Sequence, residues 1–230
     1  MTEAPTRRAT LPRDEASYAA KRFRGAEYRT SRHRFGDLAI VVRRFPGTGT
    51  GQAYVLVHGL GVSSRYFRPL AVELANTGRV YLVELPGYGA APDPRREVSI
   101  EDHAAVLLDF LRSAELDDPV LVGHSMGSQV VARAALLDPA HAQRVVLMAP
   151  TMPPHARGFW RGLGRLLFDG LLEPPVVTWI VVTDYIVRAG PKYVLRQAPH
   201  MFGDHLEEYL QRVASRVLVL IGDRDPIARE

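Results

Sequence analysis

The 230-residue chain contains no cysteine. Disulfide bonds, thiolate metal sites and a cysteine nucleophile are therefore excluded. Long apolar runs are also missing, because the longest, residues 176–187, is interrupted by Thr183 and Asp184 and is too short to span a bilayer. The first thirty residues lack the apolar stretch of roughly seven residues that a secretory signal needs. We expect no membrane span, and a cytoplasmic location is the simplest interpretation.

Positive charge is concentrated at the start of the chain. Residues 1–34 hold nine Lys and Arg against four acids, out of 29 and 25 in the whole chain. We therefore predict a basic N-terminal extension over residues 1–34, followed by a nearly neutral body. The extension has no repeat and no zinc-ligand spacing, so we expect no nucleic-acid partner.

From about residue 35, strand-like and helix-like segments alternate, which predicts a mainly parallel sheet with helices on both faces. A helix beginning at Ser99 carries a capping box, because Asp102 stands three residues later. Two Pro-Pro pairs and long apolar stretches interrupt the alternation over residues 151–210. We predict a core of residues 35–150 and 211–230 with a cap, residues 151–210, inserted between two strands. The predicted strands are 35–45 (a strand or hairpin), 53–59, 79–87, 119–125, 144–150 and 216–221.

The segment GHSMG, residues 123–127, places Ser125 between two glycines where a predicted strand meets a predicted helix. This setting is typical of a nucleophile elbow, in which small neighbours permit a sharp turn that exposes the serine hydroxyl. The helix beginning at Met126 adds oriented N–H groups beside that hydroxyl. The alternative is a small-residue turn without chemistry.

A second motif, HGLG at residues 58–61, ends a strand and opens a flexible loop. Such a loop can direct the Leu60 N–H, together with the Met126 N–H, toward an oxyanion. The same residues also resemble a dinucleotide fingerprint, with Ser64 in place of its third glycine and Glu84 as the ribose-binding acid. That alternative leaves the serine turn unexplained.

A third motif, GDRDPI at residues 222–227, follows the last predicted strand. Either Asp223 or Asp225 is placed to orient a histidine and stabilise its imidazolium, or both belong to a solvated surface loop.

With these motifs in this order, the sequence resembles the α/β-hydrolase superfamily, in particular its capped serine hydrolases. The segment ELPGYGAAPDP, residues 84–94, is similar to that family's D-x-P-G-x-G-x-S strand end, with Glu84 and Ala90 as departures. The resemblance implies Ser125 as the nucleophile, the Leu60 and Met126 amides as the oxyanion hole, and Asp225 rather than Asp223 as the triad acid. It implies a mostly parallel sheet flanked by helices, with a cap after the sixth strand.

The resemblance also implies a catalytic histidine beyond the acid, after one more strand. The chain reaches only Glu230, and none of its eight histidines fits that place. We therefore expect the eighth strand, the last helix and the histidine to lie on a longer gene product, and this form to be nearly inert. Residues 216–221 would then be an unprotected edge strand open to a second copy or another chain. His200 and His205 could suggest a metal pair, but no third ligand is apparent, so we expect no metal and no cofactor.

The expected function is hydrolysis of an ester or related acyl bond in a small to medium hydrophobic substrate, through an acyl-enzyme on Ser125. The apolar residues of the cap favour such a substrate. Two alternatives stay open: a non-catalytic protein of the same fold that binds a ligand or partner, and carbon–carbon bond hydrolysis or perhydrolysis on the same scaffold.

Overall fold

The computed structural model describes residues 20–47, 51–150 and 191–222. Within them, eight strands form one sheet in the order β1-β2-β3-β5-β4-β6-β7-β8. The first three strands and β5 pair antiparallel, and the β5-β4-β6-β7-β8 part is parallel. The strands are β1 Lys21–Phe23, β2 Ala26–Phe35, β3 Leu38–Phe45, β4 Ala53–Val57, β5 Arg79–Glu84, β6 Val120–His124, β7 Arg144–Met148 and β8 Arg216–Leu220.

Helices follow the parallel strands, as the alternating pattern predicts. A 3₁₀ turn, Ser64–Phe67, leads into α1 after β4, and its N-cap is Ser63. The predicted capping box is present, because the Ser99 side chain accepts from the Asp102 N–H while the Asp102 carboxylate accepts from the Ser99 N–H. The helices are α1 Arg68–Leu74, α2 Ile100–Ser113, α3 Met126–Leu137, α4 Pro191–Gly203 and α5 Leu206–Leu210.

The central strands are buried on both faces. In β4, Val55 and Val57 belong to the apolar cluster that also contains residues of α2 and α3, and Leu56 belongs to the cluster beneath α1. A strand covered on both sides needs apolar residues at every position, which explains why its sequence does not alternate. This burial fixes the carboxyl ends of β4, β5 and β6 next to one another.

The structure places residues 21–34, predicted as part of a basic extension, in strands β1 and β2 of the sheet and the turn between them. Tyr28 of β2 is buried and stacks on Phe45 with ring centroids 5.1 Å apart, and His33 pairs with Asp109 of α2 at 2.8 Å. Arg29, Arg32 and Arg34 conceal the strand pattern. They lie in the part of β2 that pairs with β3 but not with β1, and charges are common on such an edge. The cap was predicted to follow the sixth strand. Strand β1 adds one strand to the predicted count, so residues 151–190 follow the seventh strand.

Most of the predicted cap, residues 151–190, lies outside the described residues. Its last part forms α4 and α5, which pack on the body: the Gln129 side chain of α3 donates to the Met201 carbonyl, and the Tyr209 hydroxyl donates to the Gln129 carbonyl. In the described part of the chain, no helix is long and apolar enough to cross a membrane.

Strand β8 lies at the edge of the sheet and pairs with β7. Its apolar side chains are exposed, with Leu218 at 54% of its full accessibility. The edge position agrees with the sequence, whereas pairing of this edge with a second copy or another chain stays a prediction. The prediction of a further strand and helix on a longer gene product also stays a prediction.

One histidine is enclosed in the core. His103 of α2 has no exposed surface, lies beside Tyr88, and bonds to no described residue through either ring nitrogen. Burial lowers its pKa to about 3, and the nearby His58 acts in the same direction. The folded protein therefore holds this imidazole in its neutral form.

His103 predicts a loss of stability in acid. Between an unfolded pKa of about 6.5 and a folded pKa of about 3, the unfolded chain binds a proton that the folded chain does not. The free energy of unfolding should therefore fall as the pH is lowered through this window, and His103→Leu should flatten the fall. Urea unfolding from pH 7 to 4 gives the slope of the free energy of unfolding against pH for the wild type and for His103→Leu. Equal slopes would contradict a lowered pKa of His103 in the folded protein.

Candidate active site

Ser125 occupies the single residue between β6 and α3. Its backbone has φ 53° and ψ −120°, a conformation that non-glycine residues rarely adopt and that costs about 1–3 kcal/mol. The Ser125 N–H donates to the Met148 carbonyl at 3.0 Å, and the Ser128 N–H donates to the Ser125 carbonyl at 2.9 Å. The neighbouring strand β7 and the first turn of α3 therefore hold the strained residue in place.

Two glycines make this turn sterically feasible. A Cβ at Gly123 would overlap the Gly127 carbonyl, and a Cβ at Gly127 would overlap the Val57 carbonyl at the end of β4. Any side chain at either position would separate the turn from the sheet. The G-x-S-x-G spacing is thus required by backbone contact, as the sequence predicts.

The HGLG loop lies directly against Ser125. A Cβ on Gly59 would stand 3.0 Å from the Ser125 Cβ. The peptide group that joins Gly59 to Leu60 is therefore next to the serine. Met126, as the first residue of α3, has an N–H that no carbonyl of the helix accepts.

His58 holds that loop rather than facing solvent. It has no exposed surface, its Nε2 accepts from the Leu85 N–H at 3.1 Å, and its Nδ1 lies 2.8 Å from the Gly59 carbonyl oxygen. Since Nε2 accepts, Nδ1 carries the proton and donates to that carbonyl. Because the peptide group is planar, fixing the Gly59 carbonyl also fixes the direction of the Leu60 N–H.

The predicted acid, Asp225, and its alternative Asp223 lie outside the described residues, as does His155. No described side chain bonds to the Ser125 hydroxyl, and the residue is partly exposed. Four of the described histidines are held by carboxylates elsewhere, and His124 stacks on Tyr66. Those four pairs are His33 with Asp109, His141 with Asp138, His200 with Glu97 and His205 with Glu208.

Residues His200 and His205 do not form a joint metal site among the described residues. His200 pairs with Glu97, and His205 groups with Glu207 and Glu208 at the exposed start of α5. An exposed acidic cluster of this kind is common without a metal.

The dinucleotide interpretation conflicts with the structure. Glu84 has no exposed surface, and its carboxylate contacts Arg43, Ser64 and the Ala90 N–H. It cannot reach a ribose hydroxyl in solvent.

The comparisons with known proteins agree with the observed fold. Residues 54–176, just over half of the chain, match the family described as the alpha/beta hydrolase fold. The chain belongs to the α/β-hydrolase fold family. A hydrolase from Pseudomonas aeruginosa superposes with a TM-score of 0.73 at 19% identity, covering 86% of this chain and 82% of that one. An enol-lactonase from Burkholderia xenovorans superposes with a TM-score of 0.69 at 18% identity, covering 84% and 81%.

Among curated relatives of this α/β-hydrolase, the pimeloyl-[acyl-carrier protein] methyl ester esterase of Vibrio cholerae is 34% identical over 141 residues. The match covers 61% of this chain and 49% of that protein. The corresponding esterase of Photobacterium profundum is 35% identical over 124 residues, covering 53% and 46%. The chain thus spans about half the length of the curated relatives it matches.

Because the turn at Ser125 is closely packed, adding one methyl group at Gly127 should lower the stability of the protein markedly. Gly127→Ala should destabilise the protein by about 3 kcal/mol, because the new Cβ would overlap the Val57 carbonyl. Gly203→Ala is the matched control, since a Cβ there meets nothing within 4 Å at the end of α4. Urea unfolding followed by circular dichroism compares the variants, and equal stabilities would show that the backbone contact is not tight.

Proposed function

We propose that this α/β-hydrolase is a serine hydrolase in which Ser125 attacks the carbonyl carbon of an ester or related acyl bond. The conformation of Ser125 is the observation that carries the proposal. A serine forced into a strained backbone at the junction of β6 and α3 serves no packing purpose, because its side chain is partly exposed and unbonded to described residues. Strain of this kind accompanies functional sites.

The amides of Leu60 and Met126 are the proposed oxyanion hole. Gly59 lies against Ser125, His58 fixes the 59–60 peptide, and Met126 offers a helix N-terminal N–H. Negative charge that develops on the carbonyl oxygen during attack is stabilised by such preorganised donors. The oxyanion hole therefore needs only backbone groups, whose placement depends on the HGLG loop and on the start of α3.

The reaction divides into two steps. Ser125 Oγ bonds to the acyl carbon, its proton passes to a base, and the bond to the leaving alcohol breaks with protonation of that alcohol. Water then attacks the acyl-enzyme and releases the acid. Asp225 is our proposed triad acid, and the base is not one of the described histidines in the observed arrangement.

For the substrate we propose a small to medium hydrophobic acyl ester. Two relatives above 30% identity are named as methyl ester esterases, which supports ester chemistry. The apolar composition of residues 155–182 favours a hydrophobic acyl chain. A carbon–carbon bond hydrolase or perhydrolase on the same scaffold would use the same nucleophile, so a substrate panel must include such compounds.

Covalent labelling tests the nucleophile. Protein expressed from its complete gene should gain the mass of one fluorophosphonate adduct on Ser125 and hydrolyse p-nitrophenyl esters of two to eight carbons. Ser125→Ala should lose labelling and at least about 10³-fold in turnover, because the covalent step requires the hydroxyl.

The outcomes separate the candidate functions. Turnover that survives Ser125→Ala contradicts the proposed nucleophile. A folded wild-type protein that neither labels nor turns over any of the compounds is instead a non-catalytic binding protein of this fold.

A further inference from the structure

A single buried carboxylate connects the HGLG loop, which lies against Ser125, to the loop that follows β5. One Glu84 oxygen contacts the Arg43 guanidinium at 2.5 Å and accepts from the Ser64 hydroxyl at 2.9 Å. The other accepts from the Ala90 N–H at 2.8 Å. Arg43 also donates to the Ser64 oxygen, so this hydroxyl lies between the two charged groups.

These partners come from separate parts of the chain. Ser64 begins the 3₁₀ turn directly after the HGLG loop, Ala90 lies in the loop that follows β5, and Arg43 lies on β3. A Cβ at Gly89 would overlap the Glu84 carboxylate, so the second loop lies directly on this group. Glu84 therefore determines where both loops stand relative to the sheet.

The HGLG loop is consequently held at both ends. His58 anchors its start by accepting from the Leu85 N–H and donating to the Gly59 carbonyl. Ser64 anchors its end through Glu84. Leu60, the proposed oxyanion donor, lies between these anchors.

The burial of this group argues for a role other than stability alone. Arg43 and Glu84 side chains are 8% and 0% exposed. A buried ion pair is weak evidence for stability, because apolar residues of similar volume are often as stable in its place. What the pair adds is directional: an ion pair with hydrogen bonds fixes the positions of the groups it joins more closely than apolar contacts do.

We infer that Glu84, acting with Arg43 and Ser64, is a positioning group that places the Leu60 N–H for oxyanion stabilisation. This inference rests on the proposed function. None of the three residues touches the reacting atoms. Their effect reaches the reaction through the backbone of the HGLG loop.

Ser64→Ala is the decisive variant. It removes the connection between the loop and the carboxylate but leaves the Arg43–Glu84 pair in place. In protein expressed from the complete gene and assayed with p-nitrophenyl butyrate, kcat should fall about tenfold while KM stays within twofold, because a small displacement of a catalytic donor affects the transition state more than the ground state. The affinity for butylboronic acid, which forms a tetrahedral adduct with a serine hydroxyl, should fall by a similar factor.

Asp204→Asn provides the matched control. The Asp204 carboxylate is 6% exposed and joins Arg133 at 3.0 Å and the Tyr209 hydroxyl at 2.7 Å, away from both loops. This variant should lower the melting temperature without changing kcat. Active-site titration with fluorophosphonate normalises each kcat to the fraction of competent protein.

Glu84→Gln is the second variant, and it should lower kcat and the melting temperature together because Arg43 then faces a neutral amide. If Glu84→Gln fails to fold, Ser64→Ala alone decides. A wild-type kcat in Ser64→Ala, or a kcat loss that Asp204→Asn reproduces, overturns the inference while the proposed function stands.

Hydrogen exchange separates failure of the inference from failure of the proposed function. If the wild-type protein hydrolyses nothing and does not label, the proposed function is wrong. Faster amide exchange over residues 58–64 in Ser64→Ala, but not in Asp204→Asn, still supports loop positioning by Glu84. Unchanged exchange over these residues overturns it.

Discussion

Direct contact between backbones at the carboxyl end of the sheet is the constraint on which the site depends. The turn at Ser125 lies so close to β4 that Gly127 has no room for a Cβ beside the Val57 carbonyl. This contact requires β4 and β6 to be adjacent and parallel, and it brings the HGLG loop, which continues from β4, against the serine. The strained φ of Ser125 is tolerated because neighbouring elements on each side hold the residue.

Buried polar groups fix the position of the HGLG loop more closely than apolar packing alone would. His58 and Glu84 each join the HGLG loop to the segment at the end of β5, and both are fully buried. Buried polar groups require complete sets of partners, so such connections tolerate little displacement. His103 differs, since its ring nitrogens bond to no described residue and its pKa is lowered to about 3. Burial therefore does not by itself show what a polar side chain does: His58 and Glu84 connect backbone segments, whereas His103 bonds to no described residue.

Local signals in the sequence predicted much of the fold. The capping box of Ser99 and Asp102 was sufficient for α2, and uninterrupted apolar runs were sufficient for the central strands, because both depend on neighbouring residues. Strand β2 was missed because its arginines match the composition of a solvated tail, and only pairing with β3 and burial of Tyr28 distinguish the two. Arg43 gave no sequence signal as a buried partner, although Glu84 was visible as a departure from the family pattern.

The sequence by itself determined the geometry of the turn, since G-x-S-x-G after a strand and before a helix is a local steric requirement around Ser125. It also determined the family, through motifs that each occupy a few consecutive residues. Only the tertiary structure decided which groups Glu84 contacts. In the sequence alone, a carboxylate at a strand end is equally compatible with binding a ribose, a histidine or a buried arginine. Its partners come from β3, the 3₁₀ turn and a loop, and their convergence is a property of the folded sheet.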